Sequence, residues 1–115
     1  MTDLGLGSFG DVTQTAAGSA LPMDQVLRDV VEQAVVADQA GVFAIGLGEH
    51  HRPDFAISAP EILLATIAGR TEKIRLATAV TVLSTDDPIR AFQRFSTLNA
   101  VSNGRAEAIM GRGSF

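Results

Sequence analysis

Hydrophobic and polar positions follow two periods along the chain, and the periods alternate. Leu4 to Phe9 reads as a short strand, and the three glycines of "DLGLGSFG" suit close backbone approach at one end. After the polar linker "DVTQTAAGSALP", Leu27, Val30, Val31, Ala34 and Val35 recur at helical spacing. Asp24 is placed to cap this helix and Gly41 to stop it. "VFAIGLG", Val42 to Gly48, is an unbroken apolar run, the pattern of a strand buried on both faces. Ser58 and Glu61 then stand at capping-box spacing with Pro60 in the first turn, predicting a helix through Ile62, Leu63, Ile67 and Ala68 to Arg70. Lys73 to Leu83, rich in β-branched residues, predicts the strongest strand. Asp87-Pro88 supplies an N-cap and first-turn pair for a third helix, whose stripe is Ile89, Ala91, Phe92, Phe95 and Leu98, with both phenylalanines read as core. "SNG" at 102–104 turns the chain into a fourth strand, "RAEAIMG".

The resulting order is β-α-β-α-β-α-β, which implies parallel strands joined by helical crossovers. Strands begin near residues 44, 75 and 106, a spacing of 31 residues that matches the ~250 residues of an eight-unit (β/α)₈ barrel. The expected fold is therefore α/β: residues 1–115 as one domain carrying about four of the eight strands of a TIM barrel. Half a barrel leaves two strand edges and an interior face open. It closes against a second copy or belongs to a longer protein.

Composition narrows the function. With 46% hydrophobic and 19% charged residues the 115-residue chain reads as globular. A formal charge of -4, with nine Lys and Arg scattered along the chain, gives no basic stripe for nucleic acid. The absence of cysteine removes disulfides, thiolate metal sites and thiol nucleophiles together. No apolar run reaches the ~18 residues of a membrane span, and "MTDLGLGSFG" lacks a basic n-region. The expectation is a cytoplasmic protein with no nucleic-acid or membrane partner.

Polar residues collect after the carboxyl ends of the strands: Gly10 and Asp11, then Glu49-His50-His51-Arg52, then Ser84 to Asp87, then Gly111-Arg112-Gly113-Ser114. Ligands bind at that edge in parallel α/β folds. The only two histidines are adjacent, so they leave the strand toward opposite faces and do not share a metal. His50 either packs under the loop or faces the barrel mouth as an acid-base group. Glu49 is a base, or the partner of Arg52 or His50. "GRGSF" offers amides and a cation to a phosphate but lacks a P-loop ending, so a tight turn explains it equally. Asp86 and Asp87 look like a carboxylate pair, although Asp87 is explained as the cap before Pro88.

These blocks in this order, "GEHHRPDF", "SAPEILLATIAGRT", "IRLATAVTVLSTDDPIRAFQRFSTLNAVSNGRAEAIMGRGSF", resemble the N-terminal part of the bacterial luciferase-like flavin monooxygenases. The resemblance implies a (β/α)₈ barrel binding reduced FMN, or in some relatives the deazaflavin F420, at the carboxyl edge. Such enzymes insert one atom of O₂ into a small organic substrate, with a flavin reductase in some cases supplying the reduced cofactor. His50 matches the position implicated in catalysis, with Glu49 beside it. Ala79 and Val80 match a segment against the isoalloxazine ring, where members carry a non-proline cis peptide. Arg112, flanked by Gly111 and Gly113, matches an arginine near the flavin phosphate. Light-emitting members have cysteine where this chain has Gly111, which argues against light emission.

Overall fold

In the computed structural model, residues 2–112 are described. Strand β1 (Gly5–Ser8), helix α1 (Met23–Gln39), strand β2 (Ala44–Leu47), helix α2 (Pro60–Ala68) and strand β3 (Arg75–Thr78) alternate along the chain. Strand β4 (Thr81–Val82), helix α3 (Pro88–Val101), strand β5 (Ala106–Glu107) and strand β6 (Met110–Gly111) follow. Four strands form one parallel sheet in the order β1-β2-β3-β5, and β4 and β6 pair separately, also in parallel. This is the expected α/β arrangement of a partial barrel, with sequential strands as neighbours.

The register sorts the side chains. Leu6, Ile45, Leu76 and Ala106 lie in one row, and Ser8, Leu47 and Thr78 in another. Ile45, Leu47 and Leu76 are buried in one cluster with Val30, Leu64, Ile67 and Phe95 of the helices. Alternation sends Gly5, Gly7, Ala44, Gly46, Arg75, Ala77 and Glu107 to the opposite, interior face. That face is thus lined by very small residues, with an Arg75–Glu107 ion pair across it. Strand β2 is correspondingly buried only at Ile45 and Leu47, while Ala44 and Gly46 stay half-buried, so its run is not enclosed on both sides.

Several local expectations are corrected. Helix α1 starts at Met23 with Pro22 as its N-cap, because the Pro22 carbonyl accepts from both Gln25 N and Val26 N at 3.1 Å. Asp24 is therefore in the first turn and pairs with Arg28 at 3.2 Å, still favourably placed at the positive end of the helix dipole. Gly41 does follow the helix, with φ +82°. Helix α2 is preceded by Ala59, not by Ser58, and its N-cap position makes no side-chain bond. The capping box does not form, and the Glu61 carboxylate sits 3.5 Å from Arg94 on α3.

The Lys73–Leu83 strand is not continuous. It breaks after Thr78 at a cis Ala79–Val80 bond, resumes as β4, and ends in a 3₁₀ turn, Leu83–Thr85. The fourth strand is divided to match, β5 pairing with β3 and β6 with β4. Helix α3 is capped as expected, the Asp87 carboxylate accepting from Ile89 N at 2.9 Å. Its buried stripe is Ala91, Phe95 and Leu98, one turn or two apart, which rotates Ile89 and Phe92 outward to 67% and 71% exposure. Phe92 is not core.

Two polar anchors hold the amino-terminal side together. Asp38 accepts from the backbone N–H groups of Glu72, Lys73 and Ile74 at 3.1, 2.9 and 2.8 Å, fixing the entry to β3. Buried Arg105 donates to the carbonyls of Ser102, Ala68, Thr71 and Ile74 and to the Thr71 hydroxyl, all within 3.2 Å. It thereby ties the carboxyl ends of α2 and α3 to the start of β5.

Candidate active site

At the carboxyl edge the backbone continues the sheet ladder past the strands. Gly48 N donates to Ser8 O at 3.0 Å, and Ala79 N to Leu47 O at 2.9 Å. Phe9, Gly48 and Ala79 therefore stand side by side, one row above the paired residues of β1, β2 and β3. The loop after β2 folds back toward β1: Val12 N donates to Asp54 O at 3.0 Å, Ala56 N to Gly10 O at 2.8 Å, and His50 N to Ile57 O at 3.2 Å. Gly10 has φ +67°, and a Cβ there would lie 2.7 Å from Ile57 Cγ1, so this crossing needs a residue with no side chain.

The fold-back gathers three rings. The His50 imidazole stacks on Phe9, with centroids 4.3 Å apart and planes 27° off parallel. Phe55 tilts against His50 at 4.8 Å and meets Phe9 edge-on at 5.9 Å. His51 points the other way, with its side chain 68% exposed and Nε2 2.8 Å from Glu49 Oε2. The two histidines are thus separated as opposed side-chain directions require. Glu49 is partnered by His51, in place of the Arg52 or His50 pairing expected. Arg52 meets Asp54 at 3.1 Å. Among the described residues no group of three or more His, Cys, Asp or Glu side chains could hold a metal ion.

Beside the rings lies the Ala79–Val80 segment, and three glycines make room for it. A Cβ at Gly48 would fall 2.2 Å from Phe9 Cε1 and 2.5 Å from Ala79 O; one at Gly46 would lie 3.2 Å from Ala79 Cβ; one at Gly111 would lie 2.6 Å from Val80 Cγ2. On the far side the hydroxyls of Thr78 and Thr81, both fully buried, bond to each other at 2.7 Å and bracket the cis bond. Arg112 follows β6 with its side chain exposed, its carbonyl accepting from Ser84 Oγ at 3.4 Å. Gly113 lies outside the described residues.

The structure brings His50, Ala79, Val80 and Gly111 to one edge and engages Asp86 and Asp87 elsewhere. Asp87 caps α3, and Asp86 pairs with Arg94. Burial disfavours the Arg94 charge, but the Asp86 and Glu61 carboxylates together outweigh that and raise its pKa above the usual arginine value. Sequence reading passed over Phe9, Phe55, Gly46, Gly48 and the Thr78–Thr81 pair. The signal available for the glycines was their alternation inside an apolar strand, which marks close approach by something else. Nothing local marked the rings, because Phe9 and His50 meet across two strands.

A family model described as luciferase-like monooxygenase matches residues 7–115. The chain belongs to this family. It is 32% identical over 92 residues to the oxygenase component of a flavin-dependent trigonelline monooxygenase from Acinetobacter baylyi, a match over 79% of the chain and 26% of that protein. Among solved structures, apo-MsnO8 superposes with a TM-score of 0.88 at 31% identity, over 98% of the chain and 33% of the other. The oxygenating constituent of 3,6-diketocamphane monooxygenase from Pseudomonas putida, in complex with FMN, superposes with a TM-score of 0.87; at 23% identity over 30% of that chain it shows the shared fold. The chain spans about a quarter to a third of the length of these relatives. The non-proline cis peptide that the resemblance implies for this segment is present at Ala79–Val80.

Proposed function

We propose that residues 1–115 form the first part of a flavin-dependent monooxygenase barrel, their carboxyl edge making one wall of a pocket for reduced FMN, with F420 as the alternative cofactor. The observation that carries this reading is the cis Ala79–Val80 segment set beside His50, with Gly46, Gly48 and Gly111 packed closely against that edge without side chains of their own. A flat ring system with one apolar face suits such a surface, and the residues present fit the group. Ala79 and Val80 would lie along it, while Gly111, Arg112 and Gly113 would meet the phosphate, an exposed guanidinium offering a bidentate contact. When bound, the reduced flavin supplies the electrons that activate O₂ toward a small organic substrate.

The chain's own residues then have limited tasks. His50, its ring shielded by Phe9 and Phe55, holds or passes a proton at an imidazole nitrogen near the reacting atoms. Glu49 acts indirectly, since its carboxylate fixes His51 and so the loop that carries His50. The phenyl rings and the small residues exclude water from that edge. A flavin reductase, also cytoplasmic, would deliver the cofactor.

Anaerobic titration of the chain with reduced FMN, and separately with reduced F420, tests this reading. Saturable binding of one of them, weakened by Arg112→Ala, is expected; no binding of either at high micromolar concentration would remove the claim for this chain. A second reading, a module that holds flavin weakly or not at all and does not turn over, is favoured by the quarter to third of the family barrel that the chain spans. Binding without substrate oxygenation would select it.

A homo-oligomer is also proposed, but assembled away from the open strand edges. Two copies closed edge to edge would bring Gly5, Gly7, Ala44, Gly46 and Ala77 of both to one axis and leave the centre unfilled, against the close packing of protein interiors. Helices α2 and α3 offer a better face. Ile62, Ile89, Phe92 and Val101 are each about two-thirds or more exposed, and a groove of about 620 Å³ runs between the helices. Glu61 and Arg90 line it with opposite charges, so a two-fold copy can set unlike charges against each other.

A further inference from the structure

We infer that Phe9 is a positioning residue for His50, its ring fixing the imidazole at the mouth of the sheet, and that Gly48 is the slot that admits it. This rests on the reading of His50 as the proton-handling group. Phe9 is the first residue past β1 and falls on the interior face with Gly5 and Gly7. Gly48 holds the equivalent place past β2, and the Phe9 ring lies where its side chain would be, 2.2 Å from the site of a Cβ. The ring thereby crosses from β1 to β2 and reaches His50, two residues further on, at 4.3 Å.

The arrangement does little for Phe9 itself. At 37% exposure it gains only part of the transfer free energy that a buried phenylalanine gains. What it does achieve is a stacked contact on one face of the imidazole, while Phe55 closes another side at 4.8 Å. The His50 backbone is held separately, by its N–H to Ile57 O. With the backbone fixed there, the remaining freedom of the residue is rotation of its side chain, and the two phenyl rings restrict it. Leucine at position 9 would cover the same apolar surface without offering a flat face, so the stacking geometry needs an aromatic residue.

Two-dimensional ¹H–¹³C NMR of the 115-residue chain, with His51→Asn to assign the two imidazoles, reads the contact without any ligand. His50 Hε1 and Hδ2 should resonate upfield of those of His51, whose ring is exposed. The displacement should collapse in Phe9→Leu and survive in Phe9→Tyr. Binding of reduced FMN adds a readout that a merely structural role would not move. Phe9→Leu should weaken it about threefold to tenfold when His50 is present and add nothing in a His50→Asn background, a coupling expected only of residues that act together. Equal imidazole shifts for His50 and His51 in the unsubstituted chain would overturn the inference, even if Phe9→Leu fails to fold. So would an equal loss of FMN affinity with and without His50. Should the unsubstituted chain bind no FMN, the flavin reading for this chain falls, and the imidazole resonances alone decide the positioning role.

Discussion

At position 111 a single hydrogen atom separates an accommodated backbone from a collision. A methyl group there would meet all three side-chain carbons of Val80, at 2.6, 3.2 and 3.3 Å, and Val80, being β-branched, is stiff at χ1. Gly111→Ala should therefore destabilise the chain by about 1–3 kcal/mol, the usual cost of overpacking, read from the urea midpoint. Val80→Ala in the same chain should recover most of the loss, because it removes the atoms in the way; additive losses would show that Gly111 matters for another reason. His50 and His51 show the same dependence on immediate neighbours. Adjacent in sequence and chemically identical, they differ because one meets two phenyl rings and the other a carboxylate.

Elements here are joined by polar anchors as much as by the apolar core. Asp38, near the end of α1, grips three consecutive N–H groups before β3. Burial raises its pKa, but those backbone bonds, with the nearby Arg105 charge, outweigh burial and hold it below the usual aspartate value. A folded-state pKa below the unfolded one means that the contribution is complete above about pH 4 and is lost as pH falls through the lower, folded value. Asp38→Asn should cost about 1–3 kcal/mol at neutral pH, as loss of charge-assisted bonds does, and should flatten the acid limb of a stability-versus-pH curve. An unchanged acid limb would place the acid sensitivity in other carboxylates, such as Glu32, which Arg70 holds below its ordinary value. The break between β3 and β4 belongs to this scale too. The β-branched run of 73–83 reads as one strand, yet β4 and β6 stand apart from the main sheet as a second pair.

For the molecule as a whole, the exposed apolar residues lie on the outer helices and not only at the strand edges. The chain should run as a dimer or larger species by size-exclusion chromatography with light scattering at micromolar concentration. Ile62→Glu combined with Phe92→Glu should return it to a monomer with its far-UV dichroism intact, since neither side chain contributes to the core. An oligomer that survives both charges would place the contact elsewhere, the open edges of β1 and β5 being next in line.

The alternation of strands and helices, the Asp87 cap, the turn at 102–104 and the edge at which polar residues gather were all legible along the chain, because each depends on spacing or on one residue's conformational preference. The family was legible as well, through blocks of residues kept in order. Packing of the folded chain was needed to settle which stripe of α3 faces inward, why Ser58 is not a cap, and that Phe9 and Gly48 stand beside His50. Those outcomes turn on partners distant in sequence: Arg94 for Glu61, Ala79 for Gly46, and a ring from β1 laid across β2 onto His50.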